Sequence, residues 1–446
     1  MVEYKYNLLD NKINNLLQEV FIMNIQEKLL LDSLNLKPNE IESVQFCSHS
    51  IYVKLLPSAS ICPCCGSSRR KSKGFYNRTI KTTKRIYENY SVYLKLRRYT
   101  CLNCSHSYSD DKYIAPQNYS VSYNVIFEIM RLLQDPKMTI KQVAKLTNTS
   151  ETTVTRIFDK HCHISRYTFP EVICIDEVYT KNSDFKAKYS CLFYDFYNHK
   201  IIDILPDRKK DYLHYYFQPL MGSKELDNVK YICIDMYLPY KQICKIYFKK
   251  AIICVDSFHV IKTLNDGLSR IRIRLLKSFE SGSKEYYLLK MWRYLLFKPY
   301  DSFDINEKRK FNKAFNQYLN RYQLQELLLD IHPNLRIGFA LKELYVDFNR
   351  FCSLEEAPTQ LDNVIESFVS ANIPEYNDFI TAITNWREEI INSFTLYRGK
   401  RINNGVAESI NAQVKLLLYN TRGIRNHERR RKRIMYAINK EGFSIK

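Results

Sequence analysis

The stretch Ile173-Cys174-Ile175-Asp176 decides the fold, because the chain repeats its pattern twice more. Ile232-Cys233-Ile234-Asp235 and Ile253-Cys254-Val255-Asp256 have the same short apolar run followed by an aspartate. Uniformly apolar runs are typical of central strands that are covered on both faces of a sheet. Ligands of open α/β sheets bind at the carboxyl ends of such strands, so each of the three aspartates is predicted to end a strand at a functional edge.

The segments around these runs predict the order of the sheet. Tyr189–Phe196 and Lys200–Leu205 are strand-like and favour an antiparallel continuation of the first strand, and an amphipathic helix is predicted from about Asp211. Three strands, a helix and a fourth strand, with an aspartate on the first and fourth strands, is the order of the ribonuclease H-like fold. The predicted fold is therefore a mixed-sheet catalytic core in a multidomain chain of mixed α and β structure.

The chemistry of that fold needs a third carboxylate on a helix, and Glu408 is the candidate. Asn404 and Gly405 suit a helix start, and Glu408 and Asn411 lie on one helical face. Two divalent ions would then act on a phosphodiester, and hard oxygen ligands favour Mg²⁺ or Mn²⁺. The distance in sequence from Asp235 predicts an all-α insertion in the core. The alternative for each aspartate taken singly is a solvated residue at a strand end.

Four cysteines have the spacing of a zinc site. Cys62 and Cys65 form one C-x-x-C pair, and Cys101 and Cys104 form a second. Two such pairs complete a tetrahedral site for one structural Zn²⁺, and the residues between them can form the hairpin of a zinc ribbon. Cys64 is expected to point away. The alternative is four free thiols at chance spacing.

Residues 139–158, TIKQVAKLTNTSETTVTRIF, predict a helix-turn-helix. Thr149 or Ser150 can cap the second helix, while Val154 and Ile157 face the first. The residues predicted to face outward toward a DNA major groove are Thr152, Thr153, Thr155 and Arg156. The alternative is an ordinary helical hairpin. Arg97 and Arg98 of the ribbon are predicted phosphate contacts.

Composition narrows the class of protein. The 446 residues include 68 Lys and Arg against 47 Asp and Glu, a formal charge of +21 that favours a polyanionic partner. The alternative is a genome with AT-rich codons, which inflates lysine. The 13 cysteines argue for thiols or metal ligands in a cytosolic chain. Neither a signal peptide nor a transmembrane run is recognisable, so a cytoplasmic protein with no membrane partner is expected.

These motifs together resemble the DDE transposases of bacterial insertion sequences, specifically the ISL3 family. The resemblance covers nearly the whole chain. Its motifs are the cysteine pairs with Arg97–Cys104, the helix-turn-helix, Asp176 with Glu177, Asp235 in IDMYLPY, Asp256 and His259 in DSFHVIK, Gly405, Glu408, Asn411 and Lys415 in the late helix, and RGIRN at 422–426. No single one of these motifs is specific.

The resemblance implies roles for these residues. Asp176, Asp235 and Glu408 would form the catalytic triad and hold two Mg²⁺ or Mn²⁺ ions, with Asp256, His259, Asn411 and Lys415 near the site. The enzyme would bind the terminal inverted repeats of its element as double-stranded DNA, cut a strand at each end and join the freed 3′-OH to target DNA. A homo-oligomer on DNA, associated with the bacterial nucleoid, is expected.

The carboxyl-terminal region departs from the family pattern. Leu416–Thr421 stands where a basic stretch is expected, and basic residues resume at Arg422. Arg422 and Arg425 are predicted DNA contacts, and the basic run 415–433 is interpreted as a DNA-tracking face, with a solvated charge run as the alternative. Two other functions stay open: a non-catalytic DNA-binding regulator with a decayed core, and a nuclease of the same fold that does not join strands.

The predicted domain boundaries follow from these motifs. They are a helical leader at 1–40, a zinc ribbon at 41–115, a helix-turn-helix at 116–168, the first part of the catalytic core at 169–275, the helical insertion at 276–395, and the final core helix with a basic tail at 396–446.

Overall fold

The computed structural model describes residues 28–29, 31–32, 34–57, 61–85, 88–110, 114–116, 118–182, 185–421 and 424–443. Most of the predicted leader 1–40, and Arg422, lie outside these residues. The chain divides into two compact units, the first formed by 1–164, 416–424 and 428–446, and the second by 165–415 and 425–427. Within the described residues, no helix has both the length and the apolar character that crossing a membrane requires.

The first unit contains a five-stranded sheet. Its strands are β1 (Ile41–Cys47), β2 (Ser50–Leu55), β3 (Arg70–Arg85), β4 (Glu88–Cys101) and β5 (Ser107–Ser109). The order is β1-β2-β4-β3, and β5 pairs with β4. Strands β2 and β4 are parallel and the other pairs are antiparallel. Alternate side chains of β2 and β4 form one apolar face because successive residues of a strand point to opposite sides.

Three short helices follow the sheet: α1 (Tyr123–Leu133), α2 (Ile140–Leu146) and α3 (Glu151–His161). Thr139 caps α2 through the backbone N–H of Gln142, and Ser150 caps α3 through that of Thr153. Capping hydroxyls satisfy N–H groups that have no partner within the helix. Asn148 has a φ of 50° in the turn between α2 and α3, a left-handed conformation that asparagine tolerates.

The end of the β3–β4 hairpin is attached to these helices. The Lys81 ammonium donates to the carbonyl of Asn148 at 2.9 Å, and the Asn89 amide donates to that of Leu146 at 3.2 Å. Backbone bonds join Lys81 to Ser120 and Ser122, both at 2.8 Å. The hairpin and the α2–α3 turn therefore form one packed body.

The second unit is built on another five-stranded sheet. Its first elements are β6 (Val172–Asn182), β7 (Ala187–Asp195), β8 (Lys200–Leu205), α4 (Lys210–Phe217), α5 (Lys224–Asp227), β9 (Tyr231–Ile234), α6 (Leu238–Tyr247) and β10 (Ile252–Val255). The order is β10-β9-β6-β7-β8. Strands β10, β9 and β6 are parallel, and β7 and β8 extend the sheet in antiparallel fashion. The result is a mixed sheet.

A half-buried carboxylate, that of Glu225, holds the segment that leads into this sheet. Both oxygens of Glu225 accept hydrogen bonds from the Arg166 guanidinium, and the backbone N–H of Phe169 adds a third bond at 2.8 Å. The hydrogen bonds from Arg166 lower the pKa of Glu225. The charged form of Glu225 is therefore the one that the fold stabilises.

The remaining elements of the second unit are mostly helical. They are α7 (Ser257–Ser278), α8 (Lys284–Met291), β11 (Lys310–Asn312), β12 (Gln317–Leu319), α9 (Arg321–Leu329), α10 (Pro333–Phe351), α11 (Ala357–Ala371), α12 (Asn377–Asn385), α13 (Arg387–Asn392), β13 (Leu396–Tyr397) and β14 (Lys400–Arg401). The predicted insertion 276–395 is not all-α, because β11 and β12 pair as a small hairpin. Asn316, with a φ of 52°, supplies the left-handed turn residue that this hairpin needs.

Two glycines allow the helices of this region to approach closely. A Cβ at Gly267 of α7 would lie 2.6 Å from Cδ1 of Tyr376 and 3.1 Å from the carbonyl oxygen of Glu375. A Cβ at Gly338 of α10 would lie 2.8 Å from the terminal methyl group of Ile271, and its other neighbours would be 3.5 Å away. The buried Tyr376 hydroxyl also donates to the Gly338 carbonyl at 2.8 Å, so its ring is held in place.

The last two helices are α14 (Gly405–Asn420) and α15 (His427–Ile438). From Glu428 onward α15 belongs to the first unit, so the predicted segment 396–446 is divided between the two units. Arg433 is fully buried in the first unit. Its guanidinium donates to the carbonyl of Leu133, the last residue of α1, and to those of Asp135 and Met138 just after the helix. Burial lowers the pKa of Arg433 to about 10.

The basic run 415–433 is consequently not one continuous exposed face. Arg430 and Arg431 are buried along with Arg433, and Arg429 forms a bidentate ion pair with Asp159 of α3. The carbonyls that follow a helix end need donors, and guanidinium groups provide several from one side chain. These arginines stabilise the first unit, which corrects the interpretation of the whole run as a DNA-tracking surface.

Candidate active site

The three aspartates lie at one edge of the second sheet, although they reach it in different ways. Asp235 and Asp256 come directly after the ends of β9 and β10. Asp176 does not end its strand as predicted, because β6 continues to Asn182 beside β7. The parallel pairing of β6 with β9 ends at Cys174, so Asp176 lies just beyond the last pair of the two parallel strands.

Asp176 is held by its neighbours on both carboxylate oxygens. Its Oδ2 accepts from the Asn411 amide of α14 at 2.7 Å, and its Oδ1 accepts from the backbone N–H of Glu177 at 2.7 Å. The Tyr194 hydroxyl in turn donates to Oδ1 of Asn411, which fixes the direction in which the amide nitrogen points. A chain of hydrogen bonds from β7 through α14 thus orients Asp176.

Asp235 differs from the other aspartates in having a buried oxygen with no donor. Among the residues that the structure describes, nothing forms a hydrogen bond with its Oδ1, and the residue is 8% exposed. Burial, followed by the negative charge of Glu177, raises the pKa of Asp235 to about 7. Burial also raises the pKa of Asp176, which is 7% exposed, to about 6. Two carboxylates destabilised in this way, one of them short of a partner, match the donor set of a divalent cation.

Asp256 has two partners instead. Its Oδ2 lies 3.0 Å from Nδ1 of His259, and its Oδ1 accepts from the backbone N–H of Asn404 at 3.2 Å. The hydrogen bond to Asp256 raises the pKa of His259, which favours the imidazolium within an acidic cluster. Asp256 therefore connects α7 to the segment that starts α14. This difference in partners separates Asp235 from Asp256, which the residue pattern alone did not rank.

Glu408 lies on the first turns of α14 and is exposed. Partial burial and then the charge of Asp256 raise its pKa. Lys415, farther along α14, is also exposed. In the described part of the chain, only the four cysteines bring three or more candidate ligand atoms within 4.8 Å of one another. The ligand atoms of Asp176, Asp235 and Glu408 therefore do not all lie within 4.8 Å of one another.

Three residues at this edge were not among the predicted site residues: Glu177, Arg208 and Tyr194. Successive residues of a strand point to opposite faces, so Glu177 points away from Asp176. Its charge nevertheless acts on Asp235, and it forms an ion pair with Arg208. The Arg208 guanidinium lies 4.7 Å and 4.4 Å from the ring centroids of Tyr189 and Tyr237. The adjacency of Asp176 and Glu177 was a usable signal, whereas nothing in the sequence marks Arg208 or Tyr194.

The four predicted zinc ligands form one cluster in the first unit. The sulfur atoms of Cys62, Cys65, Cys101 and Cys104 all lie within 4.8 Å of one another, and two of the pairs are 3.6 Å apart. Tetrahedral coordination with Zn–S bonds of about 2.3 Å needs sulfur atoms about 3.8 Å apart. The backbone N–H groups of Cys104 and Asn103 lower the pKa of Cys101 to about 6. This four-cysteine cluster can bind zinc and fits a zinc ribbon.

The two cysteine turns repeat one backbone design. In each, the first cysteine carbonyl accepts from the residue four positions later, Gly66 or Ser105, and both of these residues have positive φ. The first cysteine N–H also donates to the carbonyl five positions later in both turns, that of Ser67 or His106. In the second turn the backbone N–H of Asn103 donates to Sγ of Cys101 at 3.3 Å, which favours the thiolate of that cysteine.

The predicted DNA-contacting side chains of α3 divide into two groups. Thr152 and Arg156 are exposed. Thr153 and Thr155 are half-buried, and their hydroxyls bond within the helix, to Ser150 Oγ at 2.9 Å and to the Glu151 carbonyl at 2.9 Å. The guanidinium of Arg156 lies 5.2 Å from the ring centroid of Tyr119. The hydroxyls of Thr153 and Thr155 stabilise the first turns of α3.

The other predicted DNA contacts belong to other parts of the chain. Arg97 and Arg98 are half-buried neighbours on β4, and their side chains project to opposite faces of the sheet. Arg425 is exposed in the second unit.

Comparison with known proteins gives the family. No curated protein sequence matches the chain. A family model described as a transposase, that of the ISL3-type DDE transposases, matches residues 173–434, more than half of the 446 residues. The matched region begins in β6, contains Asp176, Asp235 and Glu408, and ends in α15. The resemblance seen in the motifs is thereby confirmed, and the chain belongs to the ISL3 family of DDE transposases.

Proposed function

We propose that this transposase binds the terminal inverted repeats of an insertion sequence and uses Asp176, Asp235 and Glu408 to cleave DNA strands and join them to target DNA. The observation that carries the proposal is the buried, unpartnered Oδ1 of Asp235 beside Asp176 at one edge of the sheet. A buried charged oxygen without a partner is costly, so it usually marks a place where a ligand or ion supplies the missing interaction.

The sheet supports a ribonuclease H-like core. Numbered in chain order within this unit, its strands are arranged third, second, first, fourth and fifth, and the antiparallel pairs are on the side of the first three strands. Asp176 is on the first of these strands and Asp235 follows the fourth, as that fold requires. The long helical region between β10 and α14 separates Glu408 from them in sequence.

The residues at this edge suit Mg²⁺ or Mn²⁺, since all three candidate ligands are carboxylates. When bound, two such ions would activate the attacking oxygen and stabilise the leaving oxygen of a phosphodiester. Asn411 presents Asp176 in one orientation, and Asp256 attaches the start of α14 next to the aspartates. The hydrogen bond to Asp256 raises the pKa of His259, which favours the imidazolium form beside the carboxylates.

DNA recognition is assigned to the first unit. One Zn²⁺ held by Cys62, Cys65, Cys101 and Cys104 would stabilise the ribbon, and Thr152 and Arg156 would face a major groove. Transposition joins two ends, so we propose a homo-oligomer on paired DNA ends, working on DNA in the cytoplasm. We propose that DNA binding lies in the segments 41–115 and 116–168. Catalysis would lie in the segments 169–275 and 396–446.

The test is a cleavage and joining assay on DNA carrying the ends that flank this gene, with Mg²⁺ or EDTA. Asp176→Asn, Asp235→Asn and Glu408→Gln are expected to abolish cleavage while duplex binding is retained. Asp227→Asn is the matched control, because Asp227 is an exposed carboxylate that comes just before the start of β9, at the opposite end of that strand from Asp235. If Asp256→Asn abolished cleavage and Asp235→Asn did not, the assignment of the triad would be wrong.

The same assay separates the alternative functions. Specific duplex binding by the wild type without metal-dependent cleavage would indicate a regulator. Cleaved ends without joined products would indicate a nuclease. Joined products that require Mg²⁺ and the three carboxylates support the proposal.

A further inference from the structure

One face of the first sheet carries aromatic and basic side chains where the other carries the apolar core. On β2 and β4 the buried residues alternate with exposed ones, and the open face includes Tyr52, Lys54, Tyr93 and Lys95. Phe75 of β3 is on the same face, because its register partner on β4 is Arg97, two residues beyond Lys95. We call this surface the open sheet face.

Two tyrosines on this face form an exposed stack. Tyr52 and Tyr93 are register partners on the parallel strands β2 and β4. Their ring centroids are 4.7 Å apart and their planes differ by 10°, while the residues remain 46% and 38% exposed. The outer surfaces of the pair therefore offer flat aromatic area to solvent.

Three cations surround the third aromatic ring. The centroid of Phe75 lies 5.7 Å from Nζ of Lys54, 4.9 Å from Nζ of Lys95 and 4.7 Å from Cζ of Arg97, and Phe75 is 41% exposed. Lys54 also pairs with Glu42. Holding three like charges around one ring leaves a positive surface that a polyanion would stabilise.

Positive charge alone would suit any nucleic acid, but exposed aromatic rings favour single strands over duplexes. The bases of a duplex are stacked inside it and leave their edges and the phosphates for contact. An unpaired strand offers both phosphates and free base faces, and proteins bind it with cations that follow the backbone and aromatic rings on which bases stack.

We propose that the open sheet face binds single-stranded DNA, with bases stacking on Tyr52 and Tyr93 and phosphates contacting Lys95 and Arg97. The proposal deepens the proposed DNA-binding function and rests on it for the identity of the polyanion. Strands β2, β4 and β3 are adjacent, and Phe75 is four residues along β3 from Thr79, the register partner of Tyr93. The three rings therefore span roughly 16 Å, about the length of five stacked nucleotides. A transposase meets unpaired DNA when strands at an element end are cut or separated.

The test measures binding of the full-length protein to a labelled oligothymidine of about 12 nucleotides and to the terminal-repeat duplex. The Tyr52→Ala/Tyr93→Ala variant is expected to lose single-strand affinity by roughly 5- to 150-fold per stacked base. Tyr52→Phe/Tyr93→Phe keeps the rings and should stay within about twofold of the wild type, since stacking does not need the hydroxyl. Lys95→Gln should weaken binding and reduce its dependence on salt.

Tyr215→Ala is the matched control, because Tyr215 is an exposed tyrosine of α4 in the other unit. Equal thermal unfolding midpoints would show that the variants fold. Unchanged single-strand affinity in the alanine variant would overturn the inference, as would an equal loss of duplex and single-strand binding. If the wild type did not recognise the repeat duplex but the alanine variant lost single-strand binding, the proposed end recognition would fail and this inference would stand.

Discussion

The hydrogen bond from Asn411 to Asp176 offers the sharpest test of how α14 supports the candidate site. Asn411→Leu keeps the volume of this buried side chain but removes the amide that donates to Oδ2 of Asp176 at 2.7 Å. Tyr194→Phe removes only the hydroxyl that orients Asn411. The two variants therefore perturb the same chain of hydrogen bonds at its first and second links.

The expected magnitudes differ because only one of the bonds involves a charged group. A hydrogen bond to a carboxylate contributes about 1.5–3 kcal/mol, and a neutral one about 0.5–1.5 kcal/mol. If the variant loses the full contribution of this hydrogen bond, about 1.5–3 kcal/mol, in the transition state for cleavage, Asn411→Leu slows cleavage roughly 10- to 150-fold. The corresponding loss for Tyr194→Phe is roughly 2- to 10-fold.

The assay is single-turnover cleavage of labelled terminal-repeat DNA at saturating protein, with duplex binding measured in parallel. Gln413→Ala is the matched control, since Gln413 is exposed on the same helix two residues from Asn411. Asp176→Asn sets the floor of activity. Cleavage by Asn411→Leu at the wild-type rate, or a larger loss in Tyr194→Phe than in Asn411→Leu, would refute the reasoning.

Four further predictions concern stability and metal. Gly267→Ala should lower the free energy of unfolding by about 1–3 kcal/mol, because the new methyl group meets a fixed ring and a backbone carbonyl. Gly338→Ala meets only a movable methyl group and should lower it less, and urea denaturation of both variants would measure the difference. Arg433→Met should destabilise the first unit by about 3 kcal/mol by leaving carbonyls without donors, and a melting temperature equal to that of the wild type would contradict this. Removing zinc with a chelator should unfold the ribbon, and Cys101→Ser should do so without a chelator, seen as loss of near-ultraviolet circular dichroism. The pKa of Glu225 is lowered by folding, so its contribution to stability is present above its ordinary pKa of 4.5 and is lost as pH falls through the lower folded value. Glu225→Gln should therefore reduce the change in unfolding free energy between about pH 5 and pH 2, which chemical denaturation at each pH would measure.

Local patterns predicted the elements that are stabilised by near neighbours. The cysteine spacing places four sulfurs together because each C-x-x-C turn is closed by its own backbone. Ser150, one of the two predicted caps, caps α3, and a cap needs only the three residues that follow it. The apolar tetrads around Cys174, Cys233 and Cys254 are paired strands in register with one another.

Features that depend on distant partners were not predictable. The length of β6 beyond Asp176 is set by its pairing with β7, and a run of residues cannot show where its partner strand ends. Arg433 reads as surface charge in the sequence, but it is buried because carbonyls almost three hundred positions earlier in the chain need donors. The alternation of side chains along a strand places Asp176 and Glu177 on opposite faces, but it does not show that the charge of Glu177 raises the pKa of Asp235.

The attachment of the β3–β4 hairpin to the α2–α3 turn has a consequence for the DNA. Lys81 and Asn89 hold the sheet and the capped helix α3 in one body. If both bind the terminal-repeat duplex as proposed, the site of the sheet and the site of α3 on the DNA would have a set rotational phase about the duplex axis. A duplex turns once in about 10.5 base pairs, so inserting about five between those sites would move one of them to the far side of the helix. The spacing within each terminal repeat would then be as constrained in evolution as the bases that the protein contacts.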